Sequence, residues 1–192
     1  MHIASGKYEH RENGTANGIT ETWRYSDSSH MQITFEAHYI LKADVYFDEN
    51  QRLEQFTYHI DENLKGSYRI ADGKLHVQRT LPGNTRLEDT LVWSDDAVLD
   101  LPFLSCKGHT ILHLKKYGLA PTFAPIFHSG DRAGDLAKKS VREIGEETVK
   151  IGETDYSATH YHYMRDYWLD QYGRVLKVQD NNYEMILVEY IS

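Results

Sequence analysis

Three consecutive segments near the C-terminal end decide the fold: TDYSATHYHY (154–163), YWLDQYGRVLKV (167–178) and YEMILVEYI (183–191). They are rich in aromatic and β-branched residues, which favour strands. His160 and His162 alternate with tyrosines, so the two histidines share one face of the first strand. Asp170 and Gly173 supply the chemistry of a tight turn. We therefore expect three consecutive antiparallel strands, with one face on a core and the other available to line a cavity.

The same two-residue alternation recurs through most of the chain before residue 94 and after residue 139. Asn13-Gly14 and Asp72-Gly73 are dipeptides that favour hairpin turns. About ten or eleven strands of ordinary length are predicted, linked as hairpins without a βαβ rhythm. The sequence thus predicts a single, mostly β domain over residues 1–192. It consists of one curved antiparallel sheet, a half-barrel or barrel-like roll.

The alternation stops between residues 94 and 118, where we expect a short helical or irregular insertion. Pro102 restricts any helix to about one turn before it, or to the residues after it. The segment 119–127 carries two prolines and is predicted to be extended, at a sheet edge or in a loop. The region 94–130 is a natural lid or plug over the open side of the sheet.

Composition narrows the function classes. The chain has a formal net charge of −8 and lacks the basic stripe that nucleic-acid binding requires. No segment has the roughly 18 consecutive apolar residues of a membrane span. The single cysteine, Cys106, has apolar neighbours and is interpreted as a buried, inert thiol. No apolar run follows the N-terminus, so the default expectation is a soluble, cytoplasmic protein.

Aromatic side chains are the main clue to function, with 14 Tyr and 3 Trp in the chain. They either fill a large core or leave an apolar cavity in the concave face, with a few polar groups that orient a ligand. We take binding of a lipid or another apolar small molecule as the first hypothesis, without a cofactor. The predicted ligand-binding residues are Trp23, Phe35, Tyr58, Phe103, His160, His162 and Trp168.

Two alternative functions follow from other features. The 11 histidines include His109 and His113, four residues apart, and His128 in a glycine-bounded segment. With His160 and His162 they suggest a histidine-based or metal-assisted hydrolase or isomerase of barrel type. No HExxH or paired-cysteine motif supports this, so no catalytic or metal-ligating residue is assigned. The third hypothesis is an interaction module that binds a partner through an edge strand or a sheet face. A second copy of the chain, forming a homodimer, is one such partner.

Several stretches resemble a group of uncharacterised bacterial proteins classed with the lipoprotein-carrier (LolA/LppX-like) half-barrels. The opening hairpin is similar over Gly6-Lys-Tyr-Glu and Gly18-Ile-Thr-Glu-Thr-Trp23, and the closing strands over 149–160 and 167–178. The resemblance implies an incomplete antiparallel barrel whose opening is plugged by helices around an apolar cavity for lipid. This chain offers less helix for such a plug.

Overall fold

The protein is almost entirely β-structure. The computed structural model describes residues 4–60, 64–127 and 132–191. The strands are β1 (Ser5–Glu12), β2 (Thr15–Tyr25), β3 (His30–Glu36), β4 (Ile40–Phe47), β5 (Leu53–Ile60), β6 (Leu64–Ala71), β7 (Lys74–Leu81), β8 (Thr85–Val92), β9 (Val98–Leu99), β10 (Ala120–Pro125), β11 (Gly134–Lys139), β12 (Arg142–Ile151), β13 (Thr154–Tyr163), β14 (Arg165–Leu169), β15 (Val175–Asp180) and β16 (Tyr183–Ile191). The helix α1 spans Leu104–Tyr117, and a short 3₁₀ turn covers Pro82–Asn84.

Thirteen strands form one antiparallel sheet, in the order β12-β13-β14-β15-β16-β1-β2-β3-β4-β5-β6-β7-β8. Strands that follow one another in sequence are neighbours in space, and β16 pairs with β1 to join the two ends of the chain. The sheet ends at β12 on one side and at β8 on the other, so it is not a closed barrel. The predicted curved, antiparallel, barrel-like sheet is confirmed.

Alternation decides which face of the sheet carries the core. In β4, Leu41, Ala43, Val45 and Phe47 are buried, whereas the intervening residues are half-buried or exposed. Period-two burial of this kind commits each strand to one register, because a slip of one residue would invert its faces. The hairpin between β6 and β7 closes at Asp72-Gly73, where both residues have positive φ as the sequence predicts.

The insertion forms its own small unit on the concave side. Strands β11, β10 and β9 make a second sheet, with β10 in the middle rather than at an edge as predicted. Its prolines are tolerated because β9 pairs only with Thr122 and Phe123, and neither proline lies in that pairing. Among the described residues, no helix is long and apolar enough to cross a membrane.

Three details differ from the sequence-based prediction. Segment 167–178 contains two strands, β14 and β15, because the Asp170–Gly173 turn lies inside it. The sequence also predicts a turn near Gly145, because glycine favours turns, but the structure has a bulge there within the continuous strand β12. The region that departs from the main sheet extends to Lys139, since β10 and β11 pair with each other. The second difference arises because residues that favour turns also occur inside bulged strands.

Helix α1 lies directly against the main sheet. A Cβ added at Gly108 would stand 1.8 Å from the carbonyl oxygen of Gly173 and 3.8 Å from Leu169. Helix backbone and turn backbone are therefore in close contact, which only a residue without a side chain permits. At the C-terminal end of the helix, Lys115 lies 2.6 Å from Glu143 of β12 and donates to the hydroxyl of Tyr161.

Gly108→Ala is expected to destabilise the protein by about 2 kcal/mol or more, because the added methyl collides with backbone that cannot rotate away. Alanine has the higher helix propensity by about 1 kcal/mol, so only the collision can produce a loss. Urea unfolding measures the difference. Lys116→Ala, at an exposed position of the same helix, is the control and should change little; a Gly108→Ala protein as stable as this control would contradict the placement of α1.

Candidate ligand sites

The concave side of the sheet is filled by the protein's own rings. Phe56 lies 5.5 Å from Tyr58, 5.8 Å from Tyr68 and 5.9 Å from Phe103, measured between ring centroids. Phe127 closes the group with its ring 4.7 Å from that of Tyr58. These edge-on and offset contacts are the favourable arrangements for aromatic pairs. The first of the two sequence alternatives, rings that fill a core, therefore describes this part of the molecule.

A buried carboxylate fixes the start of α1. The two oxygens of Glu21, on β2, accept hydrogen bonds of 2.9 Å from the backbone N–H groups of Leu104 and Ser105. The first N–H groups of a helix have no partner within the helix, and the helix dipole favours a negative charge beside them. Glu21 is 1% exposed, so a long-range side chain takes the role that a neighbouring Ser or Asp usually has.

Burial governs the acid–base behaviour around this cap. Desolvation raises the pKa of Glu21, although the hydrogen bond from the backbone of Ser105 opposes the rise. Burial also raises the pKa of the Cys106 thiol, and the negative charge of Glu21 adds to that effect. A thiol held neutral is a poor nucleophile. Cys106 is buried and free, as the sequence predicts.

A second buried polar group joins the helix to both sheets. The carboxylate of Asp100 pairs with Lys107 of α1, lies 3.4 Å from Lys139 of β11, and accepts a 2.7 Å hydrogen bond from the hydroxyl of Tyr163. Both ammonium groups also lie over the ring of Tyr163. Burial lowers the pKa of Lys107, and the adjacent Asp100 carboxylate opposes that shift. Asp100, Lys107 and Tyr163 are buried and Lys139 is half-buried, so the network joins parts of the fold.

A small pocket remains at one rim of the concave face. Its volume is about 310 Å³, and its apolar wall consists of Leu53, Ile70, Ala71, Trp93, Ala97, Val98 and Leu99. Arg52 and His113 lie at the polar side of this rim pocket. The ring nitrogen Nε2 of His113 lies 2.9 Å from the carbonyl oxygen of Asp96 and donates to it. The lining also includes Ser94 and the acidic residues Asp48, Glu54, Asp72 and Asp95, so the rim pocket combines an apolar wall with an equal number of polar residues.

The seven predicted ligand-binding residues occupy two different places. Four are on the concave side, where Trp23, Tyr58 and Phe103 are buried and Phe35 is half-buried. Trp23 and Tyr58 lie flat over Gly6 and Gly66, their partners on the adjacent strands. Such pairs of ring and glycine close the sheet surface instead of opening it.

The other three predicted residues come together on β13 and β14, on the face of the sheet opposite to the core. The His160 ring stacks on Trp168 at 4.4 Å and lies between two carboxylates, with Nδ1 2.8 Å from Glu147 and Nε2 3.1 Å from Asp166. Nδ1 of His162 lies 3.0 Å from the same Asp166 oxygen. Ligand binding by the seven residues stays a prediction, but they do not form one site.

His109 and His113 do not join this cluster. His109 packs against Phe47 with 4.6 Å between centroids, His113 lies at the rim pocket, and His128 lies outside the described residues. The indole N–H of Trp168 and the ring of His160 lower the pKa of Glu147, in that order of importance. Within residues 4–60, 64–127 and 132–191, no group of three or more His, Cys, Asp or Glu is arranged to hold a metal ion.

Comparison with solved structures places the fold beside a bacterial protein. The chain is similar to the crystal structure of a β-barrel-like protein of a domain of unknown function, DUF1849, from Brucella abortus, with a TM-score of 0.57 and 12% identity. The match covers 99% of this chain and 97% of that chain. At this identity the likeness shows the fold alone. Searches against family models and curated proteins found no match.

The contacts that organise the concave side were missed by sequence reasoning. Glu21 stands among inward-facing positions of β2, between Ile19 and Trp23, and a charged residue there is the signal that was available. Its partners are more than eighty residues away, at Leu104 and Ser105. Asp100 and Lys107 give a weaker signal, since charged residues are common beside a loop. The spacing of these residues along the sequence does not show which groups Glu21 and Asp100 contact.

Glu21→Ala should cost about 2–4 kcal/mol in the free energy of unfolding, because it leaves two buried N–H groups without an acceptor and opens a small cavity. Chemical denaturation of the purified variant measures the loss. Glu36→Ala removes an exposed glutamate from the adjacent strand β3 and should change the stability by less than about 0.5 kcal/mol. Equal effects of the two substitutions would show that Glu21 does not hold the helix.

The raised pKa of Glu21 also predicts a pH dependence. Between the unfolded value of about 4.3 and the higher folded value, the folded protein holds more protons than the unfolded chain. The contribution of Glu21 to stability is therefore complete below the unfolded pKa and is lost as pH rises through the folded pKa. Melting curves of wild type and Glu21→Gln should show wild type losing stability relative to the variant across this window. A difference that is constant with pH, or that grows in favour of wild type, contradicts the shift.

Proposed function

We propose that the protein binds a small apolar molecule, or one acyl chain of a lipid, in the rim pocket. The observation that carries this proposal is the apolar wall of the pocket, with Leu53, Ile70 and Trp93 exposed to a space of about 310 Å³. That volume is at the lower end of the roughly 300–1,000 Å³ of small-molecule sites. A complete two-chain lipid is too large for this space.

Two polar groups suit the end of such a ligand. Arg52 donates to the Tyr117 hydroxyl at 3.4 Å and lies among the residues of the pocket. His113 donates through Nε2 to a carbonyl, so Nδ1 of the neutral ring is an acceptor. A ligand with an apolar body and one polar end that both accepts and donates, such as a hydroxyl or a protonated carboxyl group, satisfies both groups. The binding energy comes mainly from removing apolar surface from water, at about 25 cal/mol per Å².

The arrangement of titratable groups favours binding over catalysis. The pair of histidines with carboxylate partners, His160 and His162, lies on the opposite face of the sheet and is not part of the rim pocket. The Asp100 network is buried and does not line the rim pocket either. The resemblance to lipoprotein-carrier half-barrels and the barrel-like fold support the same class of function, a carrier or sensor of an apolar ligand.

Trp93 provides the direct test. Binding of the fluorescent fatty-acid analogue cis-parinaric acid should be detectable in the wild-type protein, and Trp93→Ala should weaken it about tenfold, because a large part of the apolar wall is removed. Energy transfer from tryptophan to the probe and competition by unlabelled medium-chain fatty acids measure the affinity.

Trp168→Phe is the matched control, because Trp168 lies on the far side of the sheet in the cluster with His160. It should bind the probe as the wild type does. If neither wild type nor control binds the probe, or if Trp93→Ala binds it with unchanged affinity while remaining folded, the rim pocket is not the site.

A further inference from the structure

A larger groove crosses the face of the main sheet that is turned away from the core. It extends over β4 to β8 and has a volume of about 1230 Å³. Residues that alternate with the buried core positions form its floor, so the groove belongs to the outer face. It is separate from the rim pocket, and twelve of its sixteen lining residues are polar or charged, the others being Tyr58, Leu64, Gly66 and Leu87.

The first row of the groove is basic. The pairing of β4 to β8 places Lys42 opposite His59, His59 opposite Lys65, Lys65 opposite Thr80, and Thr80 opposite Arg86. The basic row therefore crosses five strands and carries a cation on every second one. At about 4.8 Å between strands, the cations are about 10 Å apart over a length of about 19 Å.

The three cations of the basic row are Lys42, Lys65 and Arg86. Within the part of the chain that the structure describes, Lys42, Lys65 and Arg86 form no ion pair, and all three are exposed. A row of unpaired positive charge is unusual in a chain whose formal net charge is −8. The repulsion from distant acidic residues is screened beyond about 10 Å at 0.1 M salt, so the local row decides what the groove attracts.

The second row of the groove consists of side chains that can donate or accept hydrogen bonds. In the strand register, Asp44 lies opposite Thr57, Thr57 opposite Ser67, Ser67 opposite Gln78, and Gln78 opposite Glu88. The polar row lies two residues along each strand from the basic row, at about 7 Å. Hydroxyl, amide and carboxylate groups accept and donate as sugar hydroxyls require. Asp44 already accepts from His30 and Gln32, which leaves Glu88 as the more available acid.

We propose that this groove binds a linear anionic oligosaccharide, with uronate or sulfate groups along the basic row and hydroxyl groups along the polar row. The two rows together select for a ligand that is charged on one edge and rich in hydroxyls on the other. A nucleic acid meets this demand poorly, because single strands bind on stacking aromatic platforms, and the two rows carry no Phe, Tyr or Trp. The last pair, Arg86 and Glu88, lies on the edge strand β8, so a longer chain can extend past the sheet.

The experiment is an isothermal titration of the full chain with hexagalacturonate, maltohexaose, hexaglutamate and oligothymidylate at about 0.1 M salt. Hexagalacturonate should bind, with an affinity that falls as salt is added, and the neutral maltohexaose should not. Lys65→Gln should weaken binding about fivefold, and the triple variant Lys42→Gln/Lys65→Gln/Arg86→Gln should abolish it.

Lys150→Gln is the matched control, because it removes an exposed lysine from β12, at the other edge of the sheet. It should bind hexagalacturonate as the wild type does. No binding by wild type at millimolar ligand, equal binding by Lys65→Gln and Lys150→Gln, or stronger binding of hexaglutamate or oligothymidylate would overturn the proposal. Probe binding at the rim pocket is a separate readout, so either proposal can fail without the other.

Discussion

The hydrogen bonds from the first turn of α1 to the buried carboxylate of Glu21 determine how the concave side is built. A sheet of this length must curl, and the curled side must be covered because one face of every strand is apolar. The helix covers it only if its N-terminal N–H groups, which are buried, find an acceptor. Glu21 supplies both acceptor and charge from the floor of the sheet. The close contact of Gly108 with Gly173 then brings the helix backbone down onto the strands.

The filled interior determines where a ligand can be held. The Asp100 network joins α1, the small sheet and β13, and the packed rings of Phe56, Tyr58 and Phe127 occupy the space beside it. The remaining space lies at the rim, beside Trp93, and on the outer face. The two spaces differ in chemistry, since the rim pocket has an apolar wall and the outer groove is mostly polar. A single curved antiparallel sheet thus carries two separate candidate binding surfaces.

Much of this fold follows from the sequence, because hairpin pairing is local. Alternating burial in β4 and the Asp72-Gly73 turn are readable from neighbouring residues. The predicted strand count was low because segment 167–178 contains parts of two strands and the insertion contributes β9, β10 and β11. The sequence did not decide whether a helix follows Pro102, and the 14 residues of α1 exceed the short helical or irregular insertion that was expected.

The sites were less predictable, because they depend on contacts between distant segments. Alternation placed His160 and His162 on one face of their strand, and the strand pairing adds Trp168 from β14 to them. Periodicity does not show which face is concave, so these three were combined with core residues such as Tyr58. Glu21 and the basic row from Lys42 to Arg86 became visible only with the strand pairing, which places residues from five strands side by side.

Hydrogen exchange of the α1 amides, followed by NMR, tests the central claim most directly. The first N–H groups of an ordinary surface helix exchange rapidly because they have no acceptor. Here the amides of Leu104 and Ser105 are bonded to Glu21 inside the protein, so they should be protected as strongly as amides in the central strands β1 and β2. Rapid exchange at both amides in a sheet that stays protected would show that the helix is not fixed in the concave face, and the account of a filled interior would be wrong.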